Sequence, residues 1–139
     1  AAALQLVEAL WRQADADVLT MSVERHDAVL ARTSHLPHLL AFSLVDTLAR
    51  ESHNLDIFRY AAGGFRDFTR IAASDPHVWR DILLSNREEL IAQSRHFLRA
   101  LHGLEAAIKS GDTDALETLI DQASAARAGW RMTAIKPQG

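Results

Sequence analysis

The sequence predicts an all-α protein, and three of its features carry that expectation. Apolar residues recur at steps of three and four along most of the chain, the spacing that lines one face of a helix. Residues that open helices punctuate this pattern at Ser22, at Ser74 with Asp75 and Pro76, and in the SGDTDA stretch. Only VLTM, residues 18 to 21, has the composition and length of a β-strand, and a lone strand cannot satisfy its own backbone groups.

The bulk properties narrow the class further. A chain of 139 residues is long enough for one domain with a core. Its 48% hydrophobic and 24% charged residues are ordinary for a soluble globular protein. A net charge of −3 offers no global attraction to nucleic acid or to an anionic membrane, although a local arginine cluster can still receive an acidic ligand. With no cysteine there is neither a disulfide framework nor a thiolate metal site, in keeping with a cytoplasmic protein. No apolar run approaches the ~20 residues that span a bilayer. There is no signal peptide, and the first residue is alanine, so the chain is expected to be a processed or excised piece.

The elements follow in order. In AAALQLVEALWRQAD, Leu4, Val7, Leu10 and Trp11 form one apolar face. Together with the VLTM strand this helix is expected to be the last αβ unit of a preceding domain, covering residues 1 to 21. From Ser22, an N-cap with Glu24 in the first turn, a helix is expected to about Thr33. Pro37 suits the first turn of the next helix, where a missing N–H costs least. LLAFSLVDTLA, residues 39 to 49, is apolar on nearly every face, and a helix of that kind in a small chain belongs at the centre of a dimer. AAGG is expected to be a break, FRDFTRIAA a short helix, and Ser74 the N-cap of the helix through Trp79. Leu90, Phe97, Leu101, Leu104 and Ile108 describe a long helix with one packed seam. ALETLIDQASAARAGW is the last helix, and the tail RMTAIKPQG is expected to be loosely held.

Three polar groupings are candidates for function. His26, Asp27, His35 and His38 could hold a metal, but HExxH is absent and Pro37 disturbs the spacing of the last two, so no metal site is expected. Core-edge rings bonded to backbone carbonyls are the plain alternative for the two histidines of SHLPH. In GGFRDFTR, Arg66 and Arg70 share a helix face, and Asp67 is placed to hold Arg70 while its outer edge grips a carboxylate. The backbones of Gly63 and Gly64 can add N–H donors, while an ordinary solvated face remains the bland alternative. Trp79 is either a core aromatic or one wall of a pocket. Trp11 and Trp130 carry no local sign of function, and His53, His77, His96 and His102 read as surface or structural. There is no phosphate-binding glycine loop, no GxSxG and no dinucleotide fingerprint.

Taken in register, three segments carry a resemblance. They are the MS-x-E-x-HD opening (Met21, Ser22, Glu24, His26, Asp27), the SHLPH-x-x-AF-x-LVDTL run, and GGF-R-DFTRIA-x-SDP-x-x-WRDI. Together they resemble the C-terminal half of bacterial prephenate dehydrogenases, over roughly residues 20 to 90. The remaining residues agree in helical pattern only.

The resemblance implies an intertwined helical dimerisation domain of the 6-phosphogluconate dehydrogenase C-terminal type, at residues 22–139. Ahead of it would stand a Rossmann-like domain holding NAD or NADP, of which residues 1–21 would be the end. The implied reaction is oxidative decarboxylation of prephenate, or of its aminated relative arogenate, in tyrosine biosynthesis. The dinucleotide motif and the histidine that takes the substrate hydroxyl proton would lie outside this chain, so the fragment alone would be inactive. Carried over residue by residue, Arg70 grips a substrate carboxylate, and His38 and Ser34 hydrogen-bond substrate. Gly63 approaches it through its backbone, from its own or the partner subunit. Arg66 and Asp67 sit at the entrance, Trp79 lines it, and His26 supports the polar network behind. Arginine stands at position 66 where relatives often carry lysine, which keeps charge but changes hydrogen-bond geometry. The alternative from another class is a non-catalytic helical dimerisation or regulatory module.

Overall fold

A computed structural model describes residues 2–51 and 54–130, without the side chains of Asn54 and Leu55. His53 and the tail RMTAIKPQG lie outside the described residues. The described elements are helical: α1 (Ala2–Gln13), α2 (Val23–Leu30), α3 (Leu36–Ala49), α4 (Asn54–Arg59), α5 (Gly63–Thr69), α6 (Pro76–Ser85), α7 (Arg87–Ser110) and α8 (Thr113–Gly129). A π-helical turn, Ala31–His35, joins α2 to α3, and a 3₁₀ turn, Arg70–Ala73, follows α5.

The chain divides into two units, residues 2–22 with 101–130, and residues 23–100. In the first, the Thr20 hydroxyl donates to Glu8 across 3.2 Å, while Leu4, Val7, Leu10 and Trp11 stay exposed on α1. Val18 to Met21 have no regular secondary structure, and among the described residues there is no strand. The β-branched and apolar composition of VLTM is therefore not enough: with no neighbouring strand to bond, its backbone does not adopt a ladder.

The second unit is built around α3. The π turn, the 3₁₀ turn, α5 and α4 all pack against it. Its small residue Ala41 is sealed, and among the described residues Ala31 and Leu90 complete the buried apolar set. Leucines 39, 40 and 48 are only half-buried and Leu44 is exposed, so the all-round apolar helix is incompletely covered within its own chain.

Three boundaries differ from the sequence expectation. The helix from Val23 does not end near Thr33 but runs on through the π turn into α3. Gly63 and Gly64 are not the break but the first turn of α5, whose N-cap is Ala62. Ser74 is not the N-cap of α6; its hydroxyl donates to the Ile71 carbonyl at 2.6 Å, closing the 3₁₀ turn. The cap is Asp75, whose carboxylate accepts from the N–H groups of His77 and Val78 at 2.9 and 3.0 Å, with Pro76 at the first helical position. A carboxylate there is also favoured by the helix dipole, an advantage a serine hydroxyl lacks.

The long seam is present on α7. Leu90 is buried, Phe97 and Leu104 are half-buried, but Leu101 and Ile108 are exposed. Asp112 caps α8 through the Ala115 N–H at 3.0 Å, and Gly111 supplies the positive φ of +67° that this tight turn requires.

Candidate functional site

The π turn sets the aim of the histidines. The Leu36 N–H bonds to the Ala31 carbonyl five residues back, and Pro37 has no N–H to continue an α-helical ladder. A proline ring also crowds the carbonyl four residues earlier, and a wider turn just ahead of it relieves that contact. The chain thus passes a proline without breaking the helix, and both histidines of SHLPH reach Trp79 of α6.

Trp79 is the hub of that contact. The His38 ring stacks on it with centroids 3.6 Å apart and planes 19° apart. His35 meets it edge-on at 6.3 Å and 84°, and Phe42 does the same at 6.0 Å and 70°. Trp79 is half-buried, so it is neither sealed core nor bare surface but a wall. Aromatic pairs in these geometries each contribute about 0.5–1.5 kcal/mol beyond the area they bury.

Hydrogen bonds assign the protons. His38 Nδ1 lies 2.9 Å from the Ser34 carbonyl, which can only accept, so Nδ1 carries the proton and Nε2 is left for other partners. His26 Nδ1 faces the Asp27 carboxylate at 3.0 Å and donates to it. His35 is 8% exposed and pairs with Asn86, itself 7% exposed. The Asn86 amide nitrogen donates to the Asp27 carbonyl at 2.8 Å and lies 3.1 Å from His35 Nδ1. Burial holds the His35 pKa below its ordinary value, chiefly by desolvating the charged ring. His26 and His38 push the same way, and Asp27 opposes them.

These groups line a cleft of about 420 Å³ formed by His26, Asp27, Leu30, Ser34, His35, Trp79, Ile82, Ser85 and Asn86. Its lining combines the apolar Leu30, Trp79 and Ile82 with a few polar side chains, a mixture that small-molecule sites share. Of the sequence-predicted residues, His26, Ser34 and Trp79 line it, and His38 adjoins it through its stack on Trp79.

Gly63, Arg66, Asp67 and Arg70 do not line that cleft. They lie on α5 and the start of the 3₁₀ turn, on elements packed against α3, and all four are exposed. Among the described residues Arg66, Asp67 and Arg70 make no ion pair, so Asp67 does not hold the Arg70 guanidinium as the spacing suggested. A Cβ on Gly63 would meet nothing within 4 Å, so no contact described in this chain demands a glycine there. Among the described residues no group of three or more His, Asp or Glu is arranged to hold a metal. No described helix is long and apolar enough to cross a membrane.

Sequence reasoning passed over Asn86. It lies between α6 and α7, where an asparagine reads as an ordinary helix boundary. Its partners, 51 and 59 residues away, leave no local signal.

The fold and the cleft define the class: an all-helical domain in which histidines from the π turn and α3 meet Trp79 of α6. Comparison with known proteins makes the class specific. The family model described as "Prephenate dehydrogenase, dimerization domain" matches residues 22–122, and the chain belongs to this family. The cyclohexadienyl dehydrogenase of Zymomonas mobilis is 42% identical over 118 residues, which are 84% of this chain and 40% of that protein. The prephenate dehydrogenase of Bacillus subtilis is 38% identical over 116 residues, 82% of this chain and 31% of that protein. The chain therefore spans well under half the length of these relatives. Among solved structures, the Aquifex aeolicus prephenate dehydrogenase in complex with hydroxyphenyl propionate and NAD+ is similar at 40% identity and a TM-score of 0.80. That match covers 90% of this chain and 44% of that one.

Proposed function

We propose that this chain is the substrate-binding and dimerisation part of a prephenate dehydrogenase that converts prephenate to 4-hydroxyphenylpyruvate with NAD or NADP. The supporting observation is the wall of Ser34, His35, His38 and Trp79 beside the cleft, in a chain of this family. An aromatic plane suits a six-membered ring substrate, and the histidine nitrogens suit its carboxylate and hydroxyl oxygens. Arg70 and Arg66 supply the cations a dianionic substrate needs. Because both are exposed and neither lines the cleft, their proposed role is completed when a second subunit brings α5 to it.

Among the described residues there is no strand followed by a glycine turn and helix, so these residues do not themselves build a dinucleotide site. In this reading the cofactor is bound by a Rossmann-like domain ahead of residue 22, with residues 1–21 as its last segment. This chain's residues then bind and orient the substrate, keep water from its ring, and hold its carboxylates. Arogenate in place of prephenate would use the same ring wall, and side-by-side assays of the full-length protein with both substrates and both cofactors decide between them.

The test of the reading is Arg70→Ala in the full-length protein. It should lower kcat/KM for prephenate about 10-fold or more, the scale of a lost charge-assisted contact. Wild-type kinetics in that variant would remove Arg70 from the site. Absence of prephenate or arogenate turnover with either cofactor would favour a purely structural dimerisation module.

A further inference from the structure

We propose that Asn86 is a positioning residue: its one amide group fixes His35 in the Nε2–H tautomer, so that His35 gives the cleft a hydrogen-bond donor of fixed identity. The inference rests on the reading of the cleft as the substrate pocket; it adds an asparagine that no sequence pattern singled out and gives His35 a role that the sequence did not assign to it.

The chemistry begins at the Asp27 carbonyl. A carbonyl only accepts, so the atom of Asn86 that lies 2.8 Å from it must be the amide nitrogen, and the orientation of the amide is settled. That nitrogen carries two protons. One goes to Asp27, and the other points to His35 Nδ1 at 3.1 Å. A ring nitrogen facing a donor must accept, so Nδ1 is bare and the proton of the neutral ring sits on Nε2. Among the described residues Nε2 has no partner, yet no buried side-chain nitrogen is left unsatisfied, so this atom is not sealed off. His35 lines the cleft, and Nε2–H is the group it can offer to a ligand oxygen there.

The surroundings hold the arrangement. His35 and Asn86 are both buried, and Trp79 fixes the ring edge-on. The ionisable groups facing His35 are His26 and Asp27 on α2 and His38 on α3; α6 faces it with Trp79, Ile82 and Ser85. Desolvation and the neighbouring histidines disfavour a charged ring, in agreement with the geometry. A second histidine of known tautomer thus stands beside His38, whose free Nε2 is an acceptor when that ring is neutral. The pair offers one donor and one acceptor to a ligand bearing both a hydroxyl and carboxylates.

The experiment uses the full-length protein labelled with ¹⁵N-histidine, with His35 assigned by comparison with His35→Gln. Long-range ¹H–¹⁵N spectra at neutral pH and above should show His35 neutral and protonated on Nε2, with its titration displaced below the ordinary value of 6.5. Asn86→Asp places a carboxylate against Nδ1 and should move the proton there, turning Nε2 into an acceptor. The KM for prephenate should then rise about five-fold or more at high pH, the cost of one hydrogen bond to a charged ligand. That deficit should shrink as pH falls and the ring regains its Nε2 proton, while kcat changes little. A proton on Nδ1 in the wild type, ordinary titration there, or a KM defect in Asn86→Asp that does not vary with pH each overturns the proposal. A wild-type His35 held as Nε2–H in a protein that consumes neither prephenate nor arogenate would instead uphold the positioning and sink the functional reading.

Discussion

At the scale of single residues, the molecule uses its histidines in three different ways, and each is decided by what Nδ1 meets. His38 gives its Nδ1 proton to a carbonyl, His26 gives its own to a carboxylate, and His35 receives one from an amide. Only His35 is buried, and its pKa is lowered for that reason. The consequence for stability has a definite sign. A histidine disfavoured as a cation in the folded state leaves the unfolded chain binding the extra proton, so its contribution is complete above 6.5 and is lost as pH falls below that value. Thermal melts of the full-length protein should show Tm declining from neutral pH towards mild acid, with the decline reduced in His35→Gln. A wild-type Tm that is flat or rising over that window would contradict the assignment. The SHLPH histidines were legible as carbonyl-bonded rings, and His38 is one. His35 was not, because its partner is remote in sequence and no local periodicity encodes it.

At the scale of elements, composition located nearly every helix, while the ends followed backbone chemistry that composition only suggests. The start of α6 is the clearest case. SDP offers two capping residues in succession, and the structure uses the second, leaving Ser74 to close the turn before. Asp75→Ala should therefore destabilise the fold by about 1 kcal/mol, the usual effect of removing an N-cap. Ser74→Ala should cost less, and equal losses of Tm would show that the cap is shared. The strand at Val18–Met21 failed for the opposite reason: its side chains suit a sheet, but a strand needs a neighbour's backbone and none is present among the described residues. The continuous passage from α2 to α3 differs from the sequence expectation because a proline suited to a first turn implies a new helix, whereas here a π turn carries the chain past it unbroken.

At the scale of the molecule, the sparse core is the dominant fact. Among the described residues only Ala31, Ala41 and Leu90 are buried apolar residues, no large side chain is fully enclosed, and Leu44, Ile91 and Leu98 stand exposed. Apolar surface left open on this scale marks an interaction face. In a chain matching a dimerization domain, the occupant we propose is a second copy, in an interface of about 2,000 Å² or more as obligate dimers require. Sedimentation of the full-length protein at micromolar concentration should give the dimer, and Leu44→Glu, by placing a charge on the uncovered side of α3, should shift it towards monomer. A wild-type monomer under those conditions would remove the basis for a shared site.

The π turn has one more consequence. An α-helix advances by roughly 100° per residue, so one extra residue within a turn rotates everything beyond it by that angle. The bearing of His38 towards Trp79 is therefore set by a count, not by any side chain within the turn. Every substitution between Ala31 and His35 that keeps the backbone leaves that bearing intact. Loss of a single residue there, whichever one it is, would turn the ring away from its wall while the helix itself remained unbroken.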